Sequence, residues 1–382
     1  MHRERLILFQ TQTKNTRPVS FGRRFVRGSS VCLGLLVMSA LWLGTAQAYG
    51  FHDGGVGRCA GCHVMHGELQ GQVVIIGDEA LLAASSPTDL CLTCHAGQNG
   101  VFGTSPLNPP PERGAGNFVF LLEDNINDSP DGQTNPIGGH AAGHSVVSLA
   151  QGVSVDPQWP YSPGGSFPTS ELSCVSCHDP HGNSSFRMLN GAGPVQGGIF
   201  DFIYPAPEAT GIDPTDPFSM ETNSNHTAYR SGMGNWCANC HGQYHDNATG
   251  GRLRHEFDAE LEGTELDNYN QYNGTGDPQG GNVATAYLAA VPIEDPASTV
   301  DRESGAVTGS TTMCLSCHRA HASSAPHALR WDRYVGQLSL DGVVSGSYPI
   351  PNPYPDANQV SLCAKCHRGP RDGAGGLPTI QP

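Results

Sequence analysis

Six short units carry the chemistry of this sequence. They are Cys59, Cys62 and His63; Cys91, Cys94 and His95; Cys174, Cys177 and His178; Cys237, Cys240 and His241; Cys314, Cys317 and His318; and Cys363, Cys366 and His367. Each reads C-x-x-C-H, the spacing of covalent c-type haem attachment. Two thiols one helical turn apart reach the two vinyl groups on one haem edge. The next residue then lies under the ring, where its imidazole can bind iron. Paired C-x-x-C units also hold zinc, but zinc needs no histidine directly after every pair. Histidine is 17 of 382 residues, so six such placements by chance are on the order of 10⁻⁸. Apart from Cys32, in an apolar N-terminal segment, no cysteine is left over for a structural disulfide.

Six irons need six distal ligands. Outside the motifs and beyond residue 48 the chain has His52, His66, His140, His144, His181, His226, His245, His255, His321 and His327. The competing methionines are Met65, Met188, Met220, Met233 and Met313. The surplus of histidine favours bis-histidine ligation throughout, hence low-spin iron, low potentials and no open coordination position. Three motifs carry an extra histidine three residues past the proximal one: CHVMH (62–66), CHDPH (177–181) and CHRAH (317–321). On a helical turn such a pair lies side by side. Ligands on opposite faces of one ring do not come from one short turn. His66 is therefore either idle or a ligand of another iron, and His181 and His321 pose the same question. CHGQYH (240–245) is a looser version ending in His245.

These sites must be held by little regular structure. Gly 49 and Pro 29 together with only 7% aromatic residues point away from long helices and sheets. Short helices are expected at the motifs and around Arg254–Leu266. Pro-rich loops are expected at 108–117 and 348–358. The expected fold class is mostly coil with short helices and few short strands. The motif starts are 32, 83, 63, 77 and 49 residues apart, which argues against a tandem repeat. With no clear linker, residues 49–382 read as a single hexahaem body with a Gly/Pro-rich tail at 368–382.

Residues 1–48 read as a secretory signal peptide. Arg23, Arg24 and Arg27 precede an apolar run from Val31 to Leu43, which is too short to span a bilayer. Cleavage is expected near 48–50, after Ala46-Gln47-Ala48 or Ala48-Tyr49-Gly50. The chain then leaves the cytoplasm, and no other segment reads as a membrane span. Removing the signal takes seven of 20 basic residues and one of 35 acidic ones, leaving 13 against 34, a net charge of −21. That charge argues against nucleic acid or anionic membrane as partners and suits cationic partners or divalent metals. The acidic loop 124–132 could hold calcium through its oxygens, but it lacks EF-hand spacing.

The stretches FHDGGVGRCAGCHVMH (51–66), CVSCHDPHG (174–182), GMGNWCANCH (232–241), LRHEF (253–257), CLSCHRAHAS (314–323) and LCAKCH (362–367) resemble the hexahaem outer-surface cytochromes of Geobacter-type bacteria, the OmcS-like filament cytochromes. That resemblance implies six covalent haems c, a continuous haem stack and a homopolymer. It implies that His66 ligates the haem of the fifth motif (Cys314, Cys317, His318) in a neighbouring subunit. It makes His52, His144, His181, His245, His255 and His321 the other distal candidates, seven for six places with His66. His140, His226 and His327 are then surface histidines. The implied function is extracellular electron transfer by haem-to-haem hopping, with other redox cytochromes and extracellular acceptors as partners and no enzyme activity. The alternatives are a monomeric periplasmic or surface electron shuttle, or a multihaem reductase with one open haem. A C-x-x-C-K motif, which would mark such a reductase, is absent.

Overall fold

The computed structural model describes residues 59–64, 68–69, 72–73, 81–105, 114–122, 139–212, 221–245, 260–271, 281–331 and 362–366. The expected signal at 1–48, the acidic loop 124–132, the tail 368–382, and His52, His66, His255 and His367 lie outside the described residues. So do the side chains of His140 and His245.

The described chain is mostly coil, as its composition predicts. Its α-helices are α1 (Cys59–Cys62), α2 (Pro87–His95), α3 (Cys174–Cys177), α4 (Met233–His245), α5 (Gly263–Gln271) and α6 (Cys314–Cys317). The sixth motif begins on a 3₁₀ turn, Leu362–Lys365. Of the helix expected around Arg254–Leu266, residues 254–259 lie outside the described residues; within the rest, α5 begins at Gly263 and runs to Gln271. Six short strands pair into three two-stranded antiparallel sheets: β1 (Glu68–Leu69) with β2 (Gln72–Val73), β3 (Gly193–Val195) with β4 (Phe200–Phe202), and β5 (Glu208–Thr210) with β6 (Ala228–Ser231). Among the described residues no helix is long and apolar enough to cross a membrane.

The unequal motif spacing conceals a repeat. Around the first, third and fifth motifs the backbone follows one plan. A single helical turn ends when the proximal histidine turns extended; His178 has φ −112 and ψ 138, and His318 has φ −111 and ψ 157. Its N–H still bonds back to the first cysteine, as in His63 N to Cys59 O, His178 N to Cys174 O and His318 N to Cys314 O, at 2.8, 3.0 and 2.9 Å. A returning segment then bridges the histidine: His63 with Leu82, His178 with Leu189, His318 with Leu329. The residue after each histidine donates to a left-handed residue: Val64 N to Leu81 O, Asp179 N to Met188 O and Arg319 N to Ala328 O. These acceptors have φ of 50, 55 and 55°. Non-glycine residues in that region cost roughly 1–2 kcal/mol each, so the surrounding ladder must hold them there. The repeat escaped the spacing argument because the return comes ten residues after His178 and His318 but eighteen after His63. The longer excursion contains β1 and β2.

Side chains fill the gaps between motifs in separate small clusters. One centres on Phe102, Phe118, Val119, Phe120 and Ala322, another on Tyr269, Tyr287, Leu288 and Trp331, and a third on Tyr229, Met233, Met313 and Leu315. Each fully buried Phe or Leu contributes on the order of 2 kcal/mol. Met233 and Met313, considered above as iron ligands, are 2% and 1% exposed in the third cluster.

Candidate haem-binding sites

None of the twelve motif cysteines is in a disulfide. Their mutual effects follow motif order. Burial, then the charges of Cys91 and Cys94, raise the Cys62 thiol. Cys91 is pushed far up by a hydrogen bond with Cys174 and then by burial. Burial and then Cys240 push Cys177 up to about 12. Cys237 is raised by a hydrogen bond with Cys314 and then by burial. Burial, Cys366 and Cys363 push Cys317 up to about 12. Each motif thus lies against the next, from first to sixth. The helices agree, since α2 packs on α3 and α4 on α6.

The histidines approach in pairs from distant parts of the chain. Two imidazoles on opposite faces of one iron, each nitrogen about 2 Å from the metal, have ring centres about 6.3 Å apart. The rings of His63 and His181 are 6.3 Å apart and 5° from parallel. Those of His144 and His241 are 6.0 Å apart at 36°. His321, stacked on Phe118 at 4.3 Å, is pushed down to about 3 by burial and then by neighbouring His178. Burial, followed by His144, pushes His241 down to about 4. The imidazoles of His241 and His321 are therefore neutral near pH 7, the form that binds a metal.

Second partners fix which nitrogen faces the metal. Nδ1 of His178 bonds the carbonyl of Arg187 at 2.8 Å, and Nδ1 of His318 that of His327 at 2.9 Å. His241 Nδ1 bonds Pro163 O at 2.7 Å, and His144 Nδ1 bonds Ala320 O at 2.6 Å. A carbonyl only accepts, so Nδ1 carries the proton and Nε2 keeps its lone pair for iron. The cysteine pairs, with Nε2 of His178, His241, His318 and His144 turned away from their carbonyl partners, fit haem c.

Of the histidines read as surface residues, His327 is exposed, but His226 is not. His226 is 1% exposed and stacks on Tyr287 at 3.7 Å. Its ring nitrogens meet Thr227 O at 3.1 Å and Arg302 O at 2.9 Å. Counting ligands could not separate a packing histidine from a surface one. The positioning carbonyls of Pro163, Arg187, Ala320 and His327 were also missed, because a backbone acceptor leaves no side-chain signature.

The family described as a doubled CXXCH motif matches residues 52–100, the first two motifs. The C-type cytochrome OmcS of Geobacter sulfurreducens is 29% identical over 385 residues, covering 80% of this chain and 85% of that protein. The solved outer membrane cytochrome S filament from Geobacter sulfurreducens aligns with TM-score 0.67 and 25% identity, over 83% of this chain and 99% of that one. A cryo-EM structure of OmcS nanowires from the same organism gives TM-score 0.67 at 26% identity, with the same coverage. In sequence and in fold, the chain is similar to the C-type cytochrome OmcS.

Proposed function

We propose that this chain carries electrons outside the cell through a filament of its own copies. The observation that carries the reading is the repeat of the first, third and fifth motifs, together with the partners of their extra histidines. His181, from the third motif, faces His63 of the first. His321, from the fifth, lies beside His178 of the third. Each extra histidine therefore serves the preceding odd motif. In this sequence no C-x-x-C-H unit comes before the motif of His66. Continued by one step, the pattern gives it the fifth-motif haem of a neighbouring copy. Such a contact joins unlike surfaces and leaves both ends open, so it builds fibres rather than closed rings. The solved relatives that resemble this chain are filaments.

Each haem, when bound, would supply a one-electron iron couple, and the motif order would set the path for hopping between neighbours. The cysteine pairs would anchor each haem covalently, and the motif histidines, His63, His95, His178, His241, His318 and His367, would ligate its iron. His181, His321 and His144 would be the second iron ligands at the first, third and fourth motifs. The second and sixth draw theirs from His52, His245 and His255, one of which is a spare. The signal at 1–48 sends the chain across the inner membrane, and residues 49–382 form the one hexahaem body.

Electron microscopy and intact mass spectrometry of the secreted protein test this reading. Filaments are expected, with a subunit mass six haems above the cleaved polypeptide. Secreted, fully loaded monomers that never polymerise would return the protein to a soluble shuttle.

A further inference from the structure

The third and fifth motifs share one more detail. The carbonyl that accepts from the proximal Nδ1–H belongs to the first of two consecutive left-handed residues: Arg187 and Met188 at φ 51 and 55°, His327 and Ala328 at φ 61 and 55°. The peptide plane between the two residues fixes where that carbonyl points. With ψ of 25° at Arg187 and 30° at His327, both carbonyls are aimed at an imidazole nine residues upstream. None of the four residues is glycine, although glycine would adopt the turn without steric cost. Both turns are pinned from behind, by Asp179 N to Met188 O and Asn190 N to Cys177 O in one, and by Arg319 N to Ala328 O and Arg330 N to Cys317 O in the other. His241 differs, since its acceptor is Pro163, 78 residues away and outside any left-handed pair.

We infer that the left-handed pairs Arg187–Met188 and His327–Ala328 are positioning residues that hold the potentials of the third- and fifth-motif haems low. A carbonyl held on Nδ1–H raises the basicity of the imidazole and its donation to iron, which favours the ferric state. A turn that cannot relax keeps that bond short through every oxidation cycle. The inference rests on the bis-histidine reading above.

Arg187 and His327 are exposed, so substituting them does not overpack a core. Valine is branched at Cβ and resists positive φ, whereas glycine accepts it. His327→Val should retain six covalent, low-spin haems. One of the six should titrate at a higher potential, by about tenfold in its ferrous-to-ferric ratio, or about 59 mV for one electron. His327→Gly should titrate as the parent protein does. Arg187→Val and Arg187→Gly should reproduce the contrast at a different haem. A fully loaded, low-spin His327→Val protein with parental potentials would overturn the inference. So would a glycine variant shifted as far as the valine one, because the side chain and not the turn would then be responsible. Pulsed electron–nuclear resonance on the unmodified protein needs no variant to mature. It should find a strongly hydrogen-bonded, exchangeable Nδ1 proton at the third and fifth haems, and weakly held protons there would equally overturn the inference. High-spin iron in the unmodified protein would instead count against the bis-histidine reading itself.

Discussion

The odd and even motifs solve the same problem with different backbones. The first, third and fifth place C-x-x-C on a four-residue helix and clamp the histidine against a returning segment. The second and fourth place it on longer helices, α2 with nine residues and α4 with thirteen. In α2 the histidine is the last helical residue, and in α4 it sits at a kink, with φ −120 and ψ 37 at His241. The difference teaches that odd motifs are connectors. Their turn is short, and in the third and fifth motifs the residues after the histidine leave at once toward other motifs. The turn from His318 to His321 touches three sites: His318 is proximal at the fifth motif, Ala320 O bonds His144 opposite His241, and His321 reaches His178. The second and fourth motifs carry no extra histidine three residues on, and a longer helix can support itself there.

The largest effects should come from removing an odd connector. His181→Ala is expected to keep six covalent haems and leave the first-motif haem without its distal ligand, seen as one high-spin iron in six by electron paramagnetic resonance. His66→Ala should do the same at the fifth-motif haem and also shorten or abolish filaments in the electron microscope. Normal filaments with fully low-spin haems in His66→Ala would show that His66 is idle. His144→Ala sharpens the contrast, because its high-spin iron should appear in filaments of normal length.

A middle-sized effect is expected in the strap between the fourth and fifth motifs. Glu294 accepts from Met233 N–H at the head of α4, and Ser316 Oγ in α6 donates to Pro292 O at 2.6 Å. Between them Asp295 and Arg302 form a buried ion pair of 2.7 Å, their side chains 4% and 13% exposed. Burial alone would raise the Asp295 pKa, but hydrogen bonds from Ala297 N–H, Arg302 and Ser310 outweigh it and hold the carboxyl below its ordinary value. Stability from such a depressed carboxyl is present above the unfolded value of about 3.9 and is lost as pH falls through the folded one. Asp295→Asn should cost about 3 kcal/mol near pH 7 in thermal melts, because it leaves Arg302 buried without its charge partner. The deficit should close as the pH is lowered below about 4, and a deficit independent of pH would show that packing and not charge holds the strap.

Much of the candidate site was legible because covalent haem attachment needs fixed residues at fixed spacing. The same holds for the extra histidines of CHDPH and CHRAH, whose side chains do reach other motifs. The repeat was legible too, but only at the right offset. Residues 174–189 and 314–329 align without a gap, matching Cys174, Ser176, Cys177, His178, His181, Ser184 and Leu189 to Cys314, Ser316, Cys317, His318, His321, Ser324 and Leu329. Comparing successive motifs hid this, because odd motifs resemble odd ones. The pairing of His144 with His241 and the burial of His226 against Arg302 join residues 97 and 76 apart in sequence, where no local periodicity ties one end to the other.

The smallest effect should separate a self-supporting even helix from an odd turn. The side chain of Ser86 accepts from Asp89 N–H at 3.1 Å, and Pro87 opens α2 with the φ that a first helical residue needs. Ser85 Oγ donates to Asp89 at 2.6 Å, and Ser148 Oγ also donates to that carboxylate, so the cap is tied to the body. Ser86→Ala should cost about 1 kcal/mol, read as faster amide exchange confined to 87–95, with haem content and spin state unchanged. In the odd helix α6, Ser316 is 2% exposed and both accepts from Met313 N–H at 3.1 Å and donates to Pro292 O. Ser316→Ala therefore strands a buried donor and a buried acceptor, and should cost about 2–3 kcal/mol with exchange spreading into the strap. Equal and equally local effects of the two substitutions would break the distinction, since α6 would then stand alone as α2 does.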